Sequence, residues 1–160
     1  MRAARTASTV VLGIDPGTTG MGYALIDTAT EPARILSCGL LPAPREASAA
    51  ERLLAIATAL DALIAEHAPA ALAVERLYFN RNARTAMLVA EARGVALLCA
   101  ARGGLEVAEY SPQEVKQAVA ASGGAGKRQV QRMVRLLLAL DAPIAQDNAA
   151  DAVAIALTHA

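Results

Sequence analysis

The chain has 160 residues, a length that suits a single domain, and 55% of them are hydrophobic, enough for one packed core. Fifteen Lys/Arg balance fifteen Asp/Glu, so net charge alone draws the protein toward neither nucleic acid nor an anionic membrane. No apolar run reaches the roughly 18 residues that span a bilayer, the basic start MRAARTAST lacks a secretory apolar stretch, and Cys38 and Cys99 form no CxxC pair, which excludes a zinc ribbon and leaves a cytoplasmic protein with reduced thiols as the expectation.

In chain order, residues 1–8 read as a flexible tail and residues 9–160 as one domain. TVVLGID (9–15) is a buried strand ending at Asp15-Pro16-Gly17. After a Thr-Thr-Gly turn, MGYALID (21–27) alternates as a second strand and ARILSCGLL (33–41) is a third. Pro32, Pro42 and Pro44 mark the region 31–46 as turn and edge material. From about Ala47 to His67, Leu53, Leu54, Ala57, Leu60, Leu63 and Ile64 recur at helical spacing. ALAVERL (71–77) is a short central strand. An Ala/Leu/Val helix over 82–102 follows, with Asn82 as N-cap. LEVAEY (105–110) is the fifth strand. Ser111-Pro112-Gln113-Glu114 opens a helix, with serine as cap, proline at the first position and glutamate at the third. Gly123-Gly124 breaks it. Helices over about 127–140 and from Gln146 onward complete the chain. The order βββαβαβ and then helices implies a five-stranded mixed sheet flanked by helices, an α/β fold.

Three acidic positions stand out. Asp15 ends the first strand, where a carboxylate either caps the turn or borders a cleft at the sheet edge. Glu75 follows an apolar run inside a central strand. A carboxylate there is disfavoured unless it meets a cation or the strand ends and the side chain reaches solvent. Asp147-Asn148-Ala149-Ala150-Asp151 puts either Asp147 or Asn148 on the helix face of Asp151. Asp147 also suits a helix cap. Asp15, Glu75 and Asp151 together form a hard-oxygen set fit for Mg2+ or Mn2+. Two such ions roughly 3.5–4 Å apart would activate water and stabilise the leaving oxygen in phosphodiester hydrolysis.

The charge distribution is uneven. Residues 76–135 hold ten Lys/Arg and four Asp/Glu, and the rest of the chain holds five and eleven. This fits either a basic face beside an acidic pocket or charges scattered over solvated helices. Of four aromatics, Tyr78 and Phe79 are adjacent and lie between Arg76 and Arg81, a pattern suited to base stacking and phosphate contact. Gly123-Gly124-Ala125-Gly126-Lys127 fails as a phosphate loop, because Ala121 and Arg128 occupy positions that need Gly and Ser/Thr. Lys127, Arg128, Arg132 and Arg135 fit better as a basic helix start and face for DNA phosphates.

In that order, these segments resemble the RuvC family of Holliday-junction resolvases, within the RNase H-like superfamily, over about residues 9–160. Gly13-Ile14-Asp15-Pro16-Gly17 is similar to the family's opening strand and first catalytic aspartate. Glu75 with Tyr78 and Asn82 looks like its second carboxylate and the loop that inserts an aromatic at the junction. Glu91-Ala92-Arg93-Gly94 falls in its long dimer-interface helix. Tyr110 to Lys116, and Lys127 to Gln131, resemble the segments of its two important lysines. Asp151 to His159 is similar to its closing helix, with Asp151 a catalytic acid. The resemblance implies a homodimeric, metal-dependent endonuclease on four-way junction DNA in recombination and repair, partnered by a RuvA–RuvB motor. Lys116 and Lys127 are then expected near the scissile region, and Arg81, Arg128 and Arg132 along the phosphates.

The chain departs from the family at Asn148, where a carboxylate or histidine is usual. Asn148 is the expected fourth ligand, with Asp147, one residue earlier, as the second candidate. Gly13-Ile14-Asp15 followed by Gly17-Thr18-Thr19-Gly20 also resembles the first phosphate loop of sugar kinases and heat-shock ATPases, but these need two such domains. An RNA-processing nuclease of the same fold, or a junction-binding protein with weak catalysis, would also carry these motifs.

Overall fold

A computed structural model describes residues 8–17, 20–78 and 82–160. The expected tail lies outside the described residues except for Ser8. Five strands and five helices follow in the order β1 (Val10–Asp15), β2 (Gly22–Asp27), β3 (Arg34–Leu40), α1 (Ala49–His67), β4 (Ala71–Glu75), α2 (Ala83–Gly103), β5 (Glu106–Tyr110), α3 (Pro112–Ala120), α4 (Lys127–Leu137) and α5 (Asp147–His159). They form one sheet in the order β3-β2-β1-β4-β5. The first three strands are antiparallel neighbours. β1, β4 and β5 are parallel, connected through helices as parallel strands require. The proline-flanked third strand sits at the edge, as expected.

Strand alternation divides the core in two. On one face Leu12, Ile14, Leu25, Leu72 and Val74 pack against Ile56, Leu60 and Ile64 of α1 and Ala96, Cys99 and Ala100 of α2. On the other, Val11, Ala24, Ile26 and Ala73 pack against α3, α4 and the alanine-rich α5. Among the described residues no helix is long and apolar enough to cross a membrane.

Helix starts follow the local chemistry. Ser48 and Glu51 form a capping box at α1, and Ser111 and Glu114 form another at α3, behind Pro112. Asn82 caps α2 by accepting from the Thr85 N–H at 3.4 Å. Three expected boundaries move. α3 stops at Ala120, with Ala121 left-handed, before the glycine pair. α4 ends at Leu137 rather than 140: the chain turns left-handed at Ala139, and the Arg135 guanidinium donates to the carbonyls of Leu140 and Asp141 at 3.1 and 2.7 Å. Gln146, not Asp147, is the N-cap residue of α5, and Asp147 is the first helical residue.

Candidate active site

Register explains why Asp15 and Glu75 are neighbours. Ile14 pairs with Val74 in the parallel ladder, so the next residue on each strand ends it at the same level. Leu12, Ile14, Leu72 and Val74 all face α1 and α2, so period-two alternation turns Asp15 and Glu75 to the α5 face. Gly13 and Gly22 let α5 descend onto that face. A Cβ on Gly13 would overlap the Ala152 carbonyl, and one on Gly22 would overlap the Asn148 carbonyl. Ala149, Ala150, Ala152, Ala154 and Ala156 make the helix side of the contact comparably thin. This close approach carries Asp151 to the ends of β1 and β4.

The three carboxylates feel one another. Burial, and then Asp151 and Glu75, push the Asp15 carboxyl up to about 7, against the pull of Lys127. Burial and then Asp151 raise Glu75, while Lys116 opposes the shift. Burial raises Asp151, Lys127 lowers it and Asp147 raises it. Such mutual repulsion in a half-buried pocket marks a place for a cation. Lys127 partly fills that need: its ammonium stands 3.4 Å from Asp151 Oδ2 and 3.4 Å from Asp147 Oδ2. These contacts also offset the misfit of a cation at the positive N-terminus of α4.

Asp15 and Glu75 open onto a cleft of about 520 Å3, walled by Pro16, Arg76, Leu77 and Tyr78 on one side and Ser111, Pro112 and Gln113 on another. Among the described residues no three Asp, Glu, His or Cys side chains are grouped closely enough to hold a metal ion as they stand. The donor chemistry nonetheless fits a hard divalent ion. Three all-oxygen carboxylates each hold their protons more tightly than usual, and a divalent charge would relieve that.

The other sequence-derived residues distribute unevenly. Tyr78 is 57% exposed at the cleft wall. Phe79 and Arg81 lie outside the described residues. Arg76 is half-exposed and turned to the protein, donating to the Glu109 carbonyl at 3.2 Å and lying 3.9 Å from Glu114. Asn82 is exposed at the start of α2, and Arg128 and Arg132 are exposed on α4. The side-chain amide of Asn148 donates to the Gly20 carbonyl at 2.9 Å, holding the loop after β1. Asp147 is 70% exposed and accepts from Gln131 at 3.2 Å as well as facing Lys127. The 76–135 stretch is not one basic face, because Arg93, Arg102 and Arg135 are engaged in bonds elsewhere in the fold.

Two contacts escaped the sequence reading. Arg93 reaches the Glu75 carbonyl and the Glu109 carboxylate. The one available signal was its spacing of three and seven from Ala96 and Ala100, which puts it on the inward face of α2. Tyr110 and His159 share a 2.7 Å hydrogen bond between β5 and the end of α5, and no local pattern announces it.

A family model described as "Crossover junction endodeoxyribonuclease RuvC" matches residues 11–159. Proteins of that name from Roseiflexus sp. (strain RS-1) and Heliobacterium modesticaldum are 49% and 51% identical. The first alignment covers 95% of this chain and 90% of the relative, the second 92% and 91%. The fold matches that of T. thermophilus RuvC in complex with a Holliday junction substrate, with a TM-score of 0.89 and 37% identity over 94% of this chain and 92% of that one. The yeast mitochondrial resolvase Ydc2 shares the fold at 12% identity and a TM-score of 0.65, over 95% of this chain and 78% of the other. The chain belongs to the RuvC family of crossover junction endodeoxyribonucleases.

Proposed function

We propose that residues 9–160 act as one nuclease domain that resolves four-way DNA junctions, with Asp15, Glu75 and Asp151 holding two Mg2+ or Mn2+ ions. The observation that carries this is the convergence of three half-buried carboxylates, from β1, β4 and α5, each raised by burial and two of them also by Asp151. When bound, such ions activate a water and stabilise the leaving oxygen of a phosphodiester. The chain's own groups bind and orient. Lys116, whose charge reaches Glu75, and Lys127, against Asp151, flank the carboxylates and suit contacts to the phosphates beside the cut. Arg128 and Arg132 extend that positive rim along α4. Exposed Tyr78 offers an aromatic face to an unpaired base at the crossover. Of the two candidates for a fourth ligand, Asn148 is half-buried beside the loop that follows Asp15, whereas Asp147 is largely exposed. We favour Asn148.

A junction offers two equivalent strands, and symmetric cutting calls for a two-fold dimer. Met87, Leu88 and Leu98 of α2 are 64%, 50% and 57% exposed, and they support a homodimer built on this helix. The test is cleavage of a synthetic four-way junction, with linear duplex as competitor, in Mg2+ or Mn2+. Asp15→Asn should lower cleavage on the order of a thousandfold, the worth of several kcal/mol of metal chemistry. Metal-free junction binding should stay within a few-fold, because it rests on basic residues elsewhere. Near-normal turnover in Asp15→Asn, or equal cutting of linear duplex, sinks the proposal.

A further inference from the structure

The end of β4 lacks a hydrogen bond that its own sheet ought to supply. The Arg76 N–H donates to the Tyr110 carbonyl on β5 at 2.7 Å. The peptide joining Glu75 to Arg76 is trans, so the Glu75 carbonyl points the opposite way, away from β5 and toward β1. Continuing the β1–β4 parallel register past Ile14 and Val74, that carbonyl would accept from the N–H of the residue after Asp15. That residue is Pro16, which has no N–H. The donor comes instead from the helix layer: Arg93 Nε reaches the Glu75 carbonyl at 3.3 Å. The same guanidinium is pinned through Nη2 to Glu109 Oε2 at 2.7 Å, and its side chain is only 13% exposed.

We propose that Arg93 is a positioning residue for Glu75, replacing the ladder bond that Pro16 removes and tying α2 to the carboxylate site from behind the sheet. The guanidinium comes from the α2 face while the Glu75 carboxylate faces α5, so Arg93 acts on the backbone and not on the reacting groups. A buried arginine is suited to this because one rigid fork holds a carbonyl and a carboxylate at once. Lysine keeps the charge toward Glu109 but has no second fixed donor for the carbonyl. The proposal rests on Glu75 being a metal ligand, as inferred above.

The test is calorimetric titration of the full chain with Mn2+, together with amide exchange of the metal-free protein. Arg93→Met and Arg93→Lys should each weaken Mn2+ binding by about tenfold, the usual scale for a group that orients a ligand. They should speed exchange at Arg76 and Leu77 while leaving metal-free junction affinity unchanged. Pro16→Ala restores an N–H at position 16, so Arg93→Met combined with Pro16→Ala should recover much of the lost affinity, measured against Pro16→Ala alone. Mn2+ affinity within twofold of the parent in both Arg93 variants overturns the proposal. So does a loss that the added N–H does not recover, which would assign the effect to the Glu109 pair alone. Glu75→Gln separates the two levels. If it binds Mn2+ normally, the ligand assignment itself fails; if it loses binding while the Arg93 variants keep it, only the positioning role fails.

Discussion

The two faces of the sheet are packed by different means, and the difference divides the labour of the molecule. On the α5 face, glycines in β1 and β2 meet alanines in the helix, and the backbones touch. Small residues there sacrifice buried apolar area, but they bring a helix-borne carboxylate to the ends of two strands. On the α1–α2 face, Leu, Ile and Val side chains fill a wider gap and provide most of the large buried residues. That face carries stability, and its outer helix still leaves large apolar side chains exposed. Closeness serves the proposed chemistry on one side; bulk serves the core and the proposed dimer contact on the other.

Gly13→Val tests the close face most severely. Its side chain would overlap the Ala152 carbonyl and the Ala156 Cβ, so α5 must move outward. A loss of about 3 kcal/mol or more in chemical denaturation is expected, with cleavage lost even at temperatures where the variant stays folded. Full activity in a folded Gly13→Val protein would show that the close approach does not place Asp151. The opposite face answers to Leu98→Asp, which should leave circular dichroism and melting temperature near the parent values while light scattering at micromolar concentration falls from the dimer mass to the monomer mass. An unchanged mass would remove α2 from the interface.

A smaller effect tests the electrostatic strain of the α5 face. Because the Asp15 carboxyl is held up to about 7 against an ordinary 3.8, the folded protein keeps a proton there that the unfolded chain has already released. Stability without metal is therefore greatest below about pH 4 for this group, and it declines as pH rises toward and through 7. Between pH 5 and 8 the melting temperature of the metal-free protein should fall by roughly 5 °C. Asp15→Asn should flatten that slope, and Mn2+ at pH 8 should restore the loss. An equal slope in Asp15→Asn would assign it to other groups.

The smallest effect concerns the fourth ligand. If Asn148 is the ligand, as proposed, its neutral amide leaves the site one charge fewer than a carboxylate would give, and cleavage should be a few times stronger in Mn2+ than in Mg2+. Asn148→Asp should narrow that ratio, and Asp147→Ala should spare most cleavage. If Asp147→Ala abolishes cleavage in a folded protein while Asn148→Ala is silent, Asp147 is the ligand.

By itself the sequence determined the order of elements, the alternation that splits the sheet into two faces, and the helix starts at Asn82 and Ser111, because these depend on residues a few positions apart. It also singled out Asp15, Glu75 and Asp151, since a carboxylate at the end of an apolar strand, or opening the apolar stripe of a helix, is costly without a partner. Only the tertiary structure decided which groups those carboxylates meet. The Ser111–Glu114 box is local and was legible. The Lys127–Asp151 contact joins residues 24 apart, and the Arg93–Glu75 bond joins residues 18 apart. Contacts across the sheet depend on backbone approach and register between distant elements, and no local spacing of residue types encodes either.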